Sequence, residues 1–72
     1  MFITKEMIGR FNNKKISIIH EIIVWEDIEN IDTTEGKIIQ IDDDSLILDY
    51  GNGLKIINLK DIMDIKEKNE NQ

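Results

Sequence analysis

The sequence predicts a small, mainly β domain, and three observations carry that prediction. Isoleucine supplies 17 of the 72 residues, and a β-branched side chain is stiff at χ1 and suits a strand better than a helix. Short apolar runs after Gly36 are separated by Asp42-Asp43-Asp44-Ser45 and by Gly51-Asn52-Gly53. Both are turn chemistry: Asp and Ser oxygens capture nearby amides, and Gly and Asn tolerate positive φ. Helix signals are confined to the first dozen residues.

There, Thr4 can cap a helix through Lys5, Glu6, Met7, Ile8 and Phe11. Its hydroxyl accepts from early amides, and Glu6 suits the positive helix end. Met7, Ile8 and Phe11 share a face that can lie over an open end of a sheet. Gly9 weakens this helix and Asn12-Asn13 ends it.

Lys15 to Trp25 reads as a strand packed on both sides, with Ile16, Ile18, His20, Ile22 and Val24 on one face. Ser17, Ile19, Glu21, Ile23 and Trp25 take the other, a pattern too apolar for a half-exposed strand. Glu26 to Thr34 is either a strand through Ile28 and Ile31 or an acidic loop. From Gly36, Ile39 and Ile41 alternate with Ile38 and Gln40. After the Asp turn, Leu46, Leu48 and Tyr50 face one side, and Ile47 and Asp49 the other. Leu54 to Leu59 returns, Lys60-Asp61-Ile62 makes one 3₁₀ turn, and Met63 to Ile65 closes the domain. Residues 1–66 thus form one domain, and 67–72 a flexible polar tail.

With no cysteine, the chain has neither disulfides nor thiolate ligands. A chain of 72 residues buries only about 60% of its unfolded surface, so self-association is expected as a source of stability. The longest apolar run, Ile16 to Trp25, contains Ser17, His20 and Glu21 and is short of the roughly 20 residues that span a bilayer. A cytoplasmic protein without membrane contact is expected. The formal charge of −6 opposes general nucleic-acid binding, which needs cations on phosphates. The Ile-, Asn- and Lys-rich composition and the small size suit a phage or mobile element.

A short helix, about five short bent strands and a one-turn helix before the last strand resemble the Sm-like and SH3-like small β-barrels. The expected fold is therefore a five-stranded Sm/SH3-like barrel with a short N-terminal helix. The run Gly36-Lys-Ile-Ile-Gln-Ile-Asp42, with Leu46-Ile-Leu48 and Leu59-Lys-Asp-Ile-Met-Asp-Ile65, resembles the YolD-like family of Firmicutes and their phages. That resemblance implies an accessory or regulator of Y-family, error-prone DNA polymerases. The Sm uridine pocket is not implied, because Asn58-Leu59-Lys60 stands where that family carries Arg-Gly or Lys-His.

No residue set for catalysis is legible. His20 is the only histidine, no Ser or Thr has a visible partner base, and a lone His in an apolar strand reads as structural. Asp42-Asp43-Asp44 with Asp49 invites a Ca²⁺ or Mg²⁺ reading, but consecutive turn residues point apart, and a solvated turn is the plainer account. No metal or cofactor is expected. Tyr50 is expected to fill the core; Trp25 is equally a core residue or an exposed anchor.

The expected function is a non-catalytic, homo-oligomeric binding module that regulates or inhibits a host protein. Its contacts are Trp25, Glu26, Asp27 and Glu29, with carboxylates standing where phosphates would. The alternative is sequestration of a small nucleotide-like ligand at subunit interfaces, with Arg10, Lys14, Lys15, His20 and Tyr50 as the binding set and Lys37 or Lys55 converging on it.

Overall fold

The structure is a computed structural model that describes residues 3–25 and 28–68, and only the backbone of residues 23–25, 28 and 29. Helix α1 spans Lys5–Gly9. Strands β1 Lys15–Trp25, β2 Ile28–Ile41, β3 Ser45–Asp49 and β4 Leu54–Asn58 follow. A 3₁₀ turn, Leu59–Asp61, leads into β5, Ile62–Glu67. The five strands form one antiparallel sheet in the order β4-β3-β2-β1-β5. Among the described residues no ladder joins β4 to β5.

The local signals act as their chemistry requires. Thr4 caps α1, its Oγ1 accepting from the Met7 amide at 3.3 Å. Asp42 and Ser45 close the β2–β3 turn through an amide-to-carbonyl bond of 2.8 Å. In the β3–β4 turn Gly51 and Gly53 sit at φ 100 and 152, where a Cβ would be strained.

Every element contributes to one core. Ile8, Ile16, Ile18, Leu46 and Leu48 are fully enclosed, and Ile38, Ile57, Leu59 and Ile62 complete the cluster. Ile8 brings α1 onto that cluster, as its apolar face predicts.

The structure decides one open reading and revises the sequence reading in four places. Ile28 to Thr34 is strand, continuous with 36–41, so β2 runs 14 residues. Ile39 does not share a face with Ile41. A bulge between Ile38 and Gln40 leaves Ile39 without a partner on β3 and 55% exposed, and Ile38 and Ile41 pack inward instead. A second irregularity opposite Ile19 and His20 does the same to Met63. Tyr50 lies on the turn, 40% exposed, rather than in the core. Finally, Glu67 belongs to β5 opposite Ile16, and the Lys68 amide donates to Lys15 O at 2.8 Å, so the ordered chain passes residue 66. Backbone pairing holds this polar end without any apolar side chain. Residues 69–72 of the expected tail lie outside the described residues.

Candidate functional site

Pairing does not extend evenly along β1 and β2. β5 accompanies β1 only from Ile16 to His20, and β3 accompanies β2 only from Lys37 to Ile41. Among the described residues β1 and β2 pair beyond those points with each other alone, from Glu21 against Ile31 to Trp25 against Ile28. A two-stranded ribbon with two open edges results. Such a ribbon is marginal in water without a partner, and its unpaired amides and carbonyls are a template for one.

Charge is concentrated in this ribbon and its base. Between Lys15 and Lys37 lie Glu21, Glu26, Asp27, Glu29, Asp32 and Glu35, with no Lys or Arg. The remaining nine acidic residues are matched by all nine basic ones. The whole formal charge of −6 therefore resides in residues 16–36. This segregation was present in the sequence, and counting charge by segment rather than by chain would have found it. Trp25 ends β1 and Glu29 lies in β2, so the strands flank the acidic tip with these two positions. Residues 26 and 27, and the side chains of Trp25 and Glu29, are outside the described residues.

A buried polar clasp ties the base of the ribbon to the edge strand β4. Lys55 Nζ donates to Thr34 Oγ1 at 3.1 Å, and Thr34 Oγ1 lies 2.8 Å from His20 Nε2. With the lysine donating, the Thr34 proton is directed at Nε2. The imidazole proton is then assigned to Nδ1, which faces the Glu21 carbonyl oxygen at 3.4 Å. Asp32 Oδ2 lies 3.9 Å from the same ammonium, which also sits 5.5 Å from the centroid of the Tyr50 ring. No buried side-chain nitrogen or oxygen among the described residues lacks a partner.

The clasp corrects the expectation that no hydroxyl has a base beside it. Thr34 is 5% exposed and His20 4%, so the hydroxyl and the imidazole are buried against each other. Sequence reasoning missed the clasp because Thr34 lies 14 residues from His20 and 21 from Lys55, and the three carry no local motif.

The expected ligand set is divided. Tyr50 and Lys15 line one shallow concavity with Gly36, Lys37 and Asp49, and Tyr50 and Lys55 line a second with Thr33 and Thr34. Glu35 borders both. His20 lies beyond Lys55, in a groove between β1 and β4. Arg10 lines none of these, and Lys14 pairs with Glu67 at 3.7 Å. Glu35 accepts from Lys68 Nζ at 2.6 Å, and that bond, with the charges of Lys68 and Lys15, holds its carboxyl below the usual range.

The acidic turn holds its carboxylates apart. Asp42 accepts from Gln40 Nε2 at 3.0 Å, and Asp43 pairs with Lys5 at 3.5 Å. Among the described residues no three carboxylate or imidazole groups converge as a cation site would require. Nor is any described helix long and apolar enough to cross a membrane. Comparison of the chain with family models, curated proteins and solved structures finds no match.

Proposed function

We propose that this chain is a non-catalytic binding module that engages a basic surface of a partner protein through its acidic β1–β2 ribbon. One observation carries the reading: between Glu21 and Ile31, where β1 and β2 have two open edges, stand four carboxylates and no Lys or Arg, and Asp32 and Glu35 at the base complete the net charge of −6. Open backbone edges supply hydrogen bonds, and concentrated carboxylates supply steering toward cations. The buried, fully partnered hydroxyl–imidazole pair supports a structural rather than a catalytic role for His20.

The strand order, with a one-turn helix between β4 and β5, supports membership of the Sm/SH3-like small-barrel class. A DNA-binding groove of a host enzyme is the kind of surface an acidic ribbon fits, in the cytoplasm of a phage-infected cell. A Y-family polymerase, implied by the YolD-like resemblance of residues 36–65, is one such partner.

The test is binding of the purified protein to a panel of basic DNA-binding proteins at low and high salt. Binding should weaken with salt, compete with duplex DNA, and vanish in a Glu21→Lys, Glu29→Lys double variant. Binding that survives the charge reversal would refute the reading. The mixed-sign concavities around Tyr50 leave capture of a small nucleotide-like anion as a second reading, and loss of nucleotide binding in Lys37→Ala would support it.

A further inference from the structure

We infer that the open edge of β4 is the docking strand for the acidic β1–β2 ribbon of a second copy of this chain. The inference rests on the reading of the ribbon as the binding element and names its partner in the isolated protein.

Among the described residues three strand regions leave backbone groups outside the sheet's ladders: the ribbon, the outer edge of β5 and the outer edge of β4. Their chemistry differs. Ribbon against ribbon would set carboxylates against carboxylates, which opposes association. β5 carries Asp64 and Glu67 against a single Lys66, so its net charge has the same sign as the guest's. From Tyr50 to Lys60 the chain has no carboxylate, and while Lys55 is engaged within its own chain, Lys60 stands in the 3₁₀ turn just past the end of β4. β4 is therefore the edge that sets no carboxylate against the ribbon and has a lysine at its end.

β4 is also the apolar edge. Leu54 is 62% and Ile56 70% exposed on the same face of the strand, and Ile47, opposite Ile56 on β3, is half-buried beside them. On the ribbon, Ile31 is 57% exposed. Covering these side chains removes apolar surface from water on both copies.

An inward-pointing lysine on an edge strand ordinarily discourages pairing, because a further strand would bury its charge. Lys55 does not act as that guard. Its ammonium is already met by Thr34, Asp32 and the face of Tyr50 within its own chain, so an added strand strands no charge. Each copy carries one ribbon and one β4, so the contact closes as a reciprocal pair or continues around a ring.

The experiment is native mass spectrometry of the purified chain, followed by zero-length carbodiimide cross-linking of a mixture of ¹⁴N- and ¹⁵N-labelled protein. The wild type should run above its monomer mass of 8.4 kDa. Mixed-isotope cross-links should join Lys60 to Glu21, Glu26, Asp27 or Glu29. Ile56→Lys should weaken association at least about tenfold while keeping the wild-type circular dichroism spectrum. If that variant fails to fold, Leu54→Asn serves instead, with the same expectation.

A wild-type monomer at millimolar concentration, or an oligomer whose cross-links run through β5 or α1, overturns the inference. The panel binding described above separates it from the functional reading. If Ile56→Lys is monomeric and binds basic partners more tightly than wild type, both stand, because the ribbon has been released from β4. If the wild type is monomeric yet binding still depends on the ribbon charge, this inference alone fails.

Discussion

The two halves of β2 show two ways of being a strand. From Lys37 to Ile41 it pairs with β3, meeting β1 only at Lys37 opposite Lys15, with Ile38 and Ile41 packed inward and a bulge that turns Ile39 out. From Ile28 to Gly36 it has β1 as its one described neighbour, and its charges are all negative. The first half is held by packing. The second is held by one ladder and by the clasp from Lys55 to Thr34 and His20. A small domain can spend its core on one end and leave the other as a lightly supported, charged arm. Low local stability and the proposed binding surface then coincide in the same residues.

The hardest test of this division is Leu48→Ala. Leu48 is fully enclosed, opposite Ile38, and the cavity should cost about 2–5 kcal/mol. For a domain of this size that approaches its whole stability, so chemical denaturation should show a largely unfolded chain. A transition equal to wild type would mean that the core around Leu48 is not what holds the fold.

Gly36→Ala probes the point where the two halves meet. A Cβ there would collide with the Asp49 carbonyl oxygen and lie 2.8 Å from its carbonyl carbon and 2.9 Å from Tyr50 Cα. These are backbone atoms and cannot swing aside, so β2 and β3 must separate, at about 1–3 kcal/mol. Gly9→Ala, where nothing lies within 4 Å, should be neutral or stabilising, and thermal melts of the pair measure the contrast.

Thr34→Val separates ribbon from sheet more finely. It keeps the side-chain shape but removes the oxygen that joins Lys55 to His20, and a buried polar group left alone costs about 1–3 kcal/mol. Hydrogen exchange should accelerate for amides of residues 21–34 more than for Leu46 to Leu48. Uniform acceleration would show that the clasp supports the whole domain rather than the arm.

The smallest effect concerns Glu35. Lys68 holds its carboxyl below the usual range, so the folded chain binds this proton less tightly than the unfolded one. The linked stability is present above the ordinary carboxylate range and is lost as pH falls through the lowered value. Because the pair is solvent-exposed, its contribution is small. Lys68→Met should flatten the acid limb of a stability–pH profile slightly and leave neutral stability almost unchanged.

The local chemistry of the chain was legible without coordinates. Thr4 as a cap, the Asp42–Ser45 and Gly51–Gly53 turns, the one-turn helix before the last strand and the core residues Ile8, Ile16, Ile18, Leu46 and Leu48 each follow from neighbours within a few residues. For the run from Ile28 to Thr34 the sequence admitted both strand and acidic loop and did not choose between them. Asn30, Asp32 and Thr33 face solvent there, and a ribbon with little to pack against shows no apolar alternation to read. The Ile39 bulge escaped for a related reason: period-2 patterning has no marker for the residue where the period slips.

By itself, then, the sequence determined a small β-rich chain, the sites of its turns and an acidic balance, because propensity, turn geometry and charge are properties of short segments. Only the tertiary structure decided that β5 and β3 stop short of the ribbon, that Tyr50 stays outside, and that His20, Thr34 and Lys55 meet. Those outcomes depend on register and on contacts between residues far apart in the chain, which no local pattern encodes.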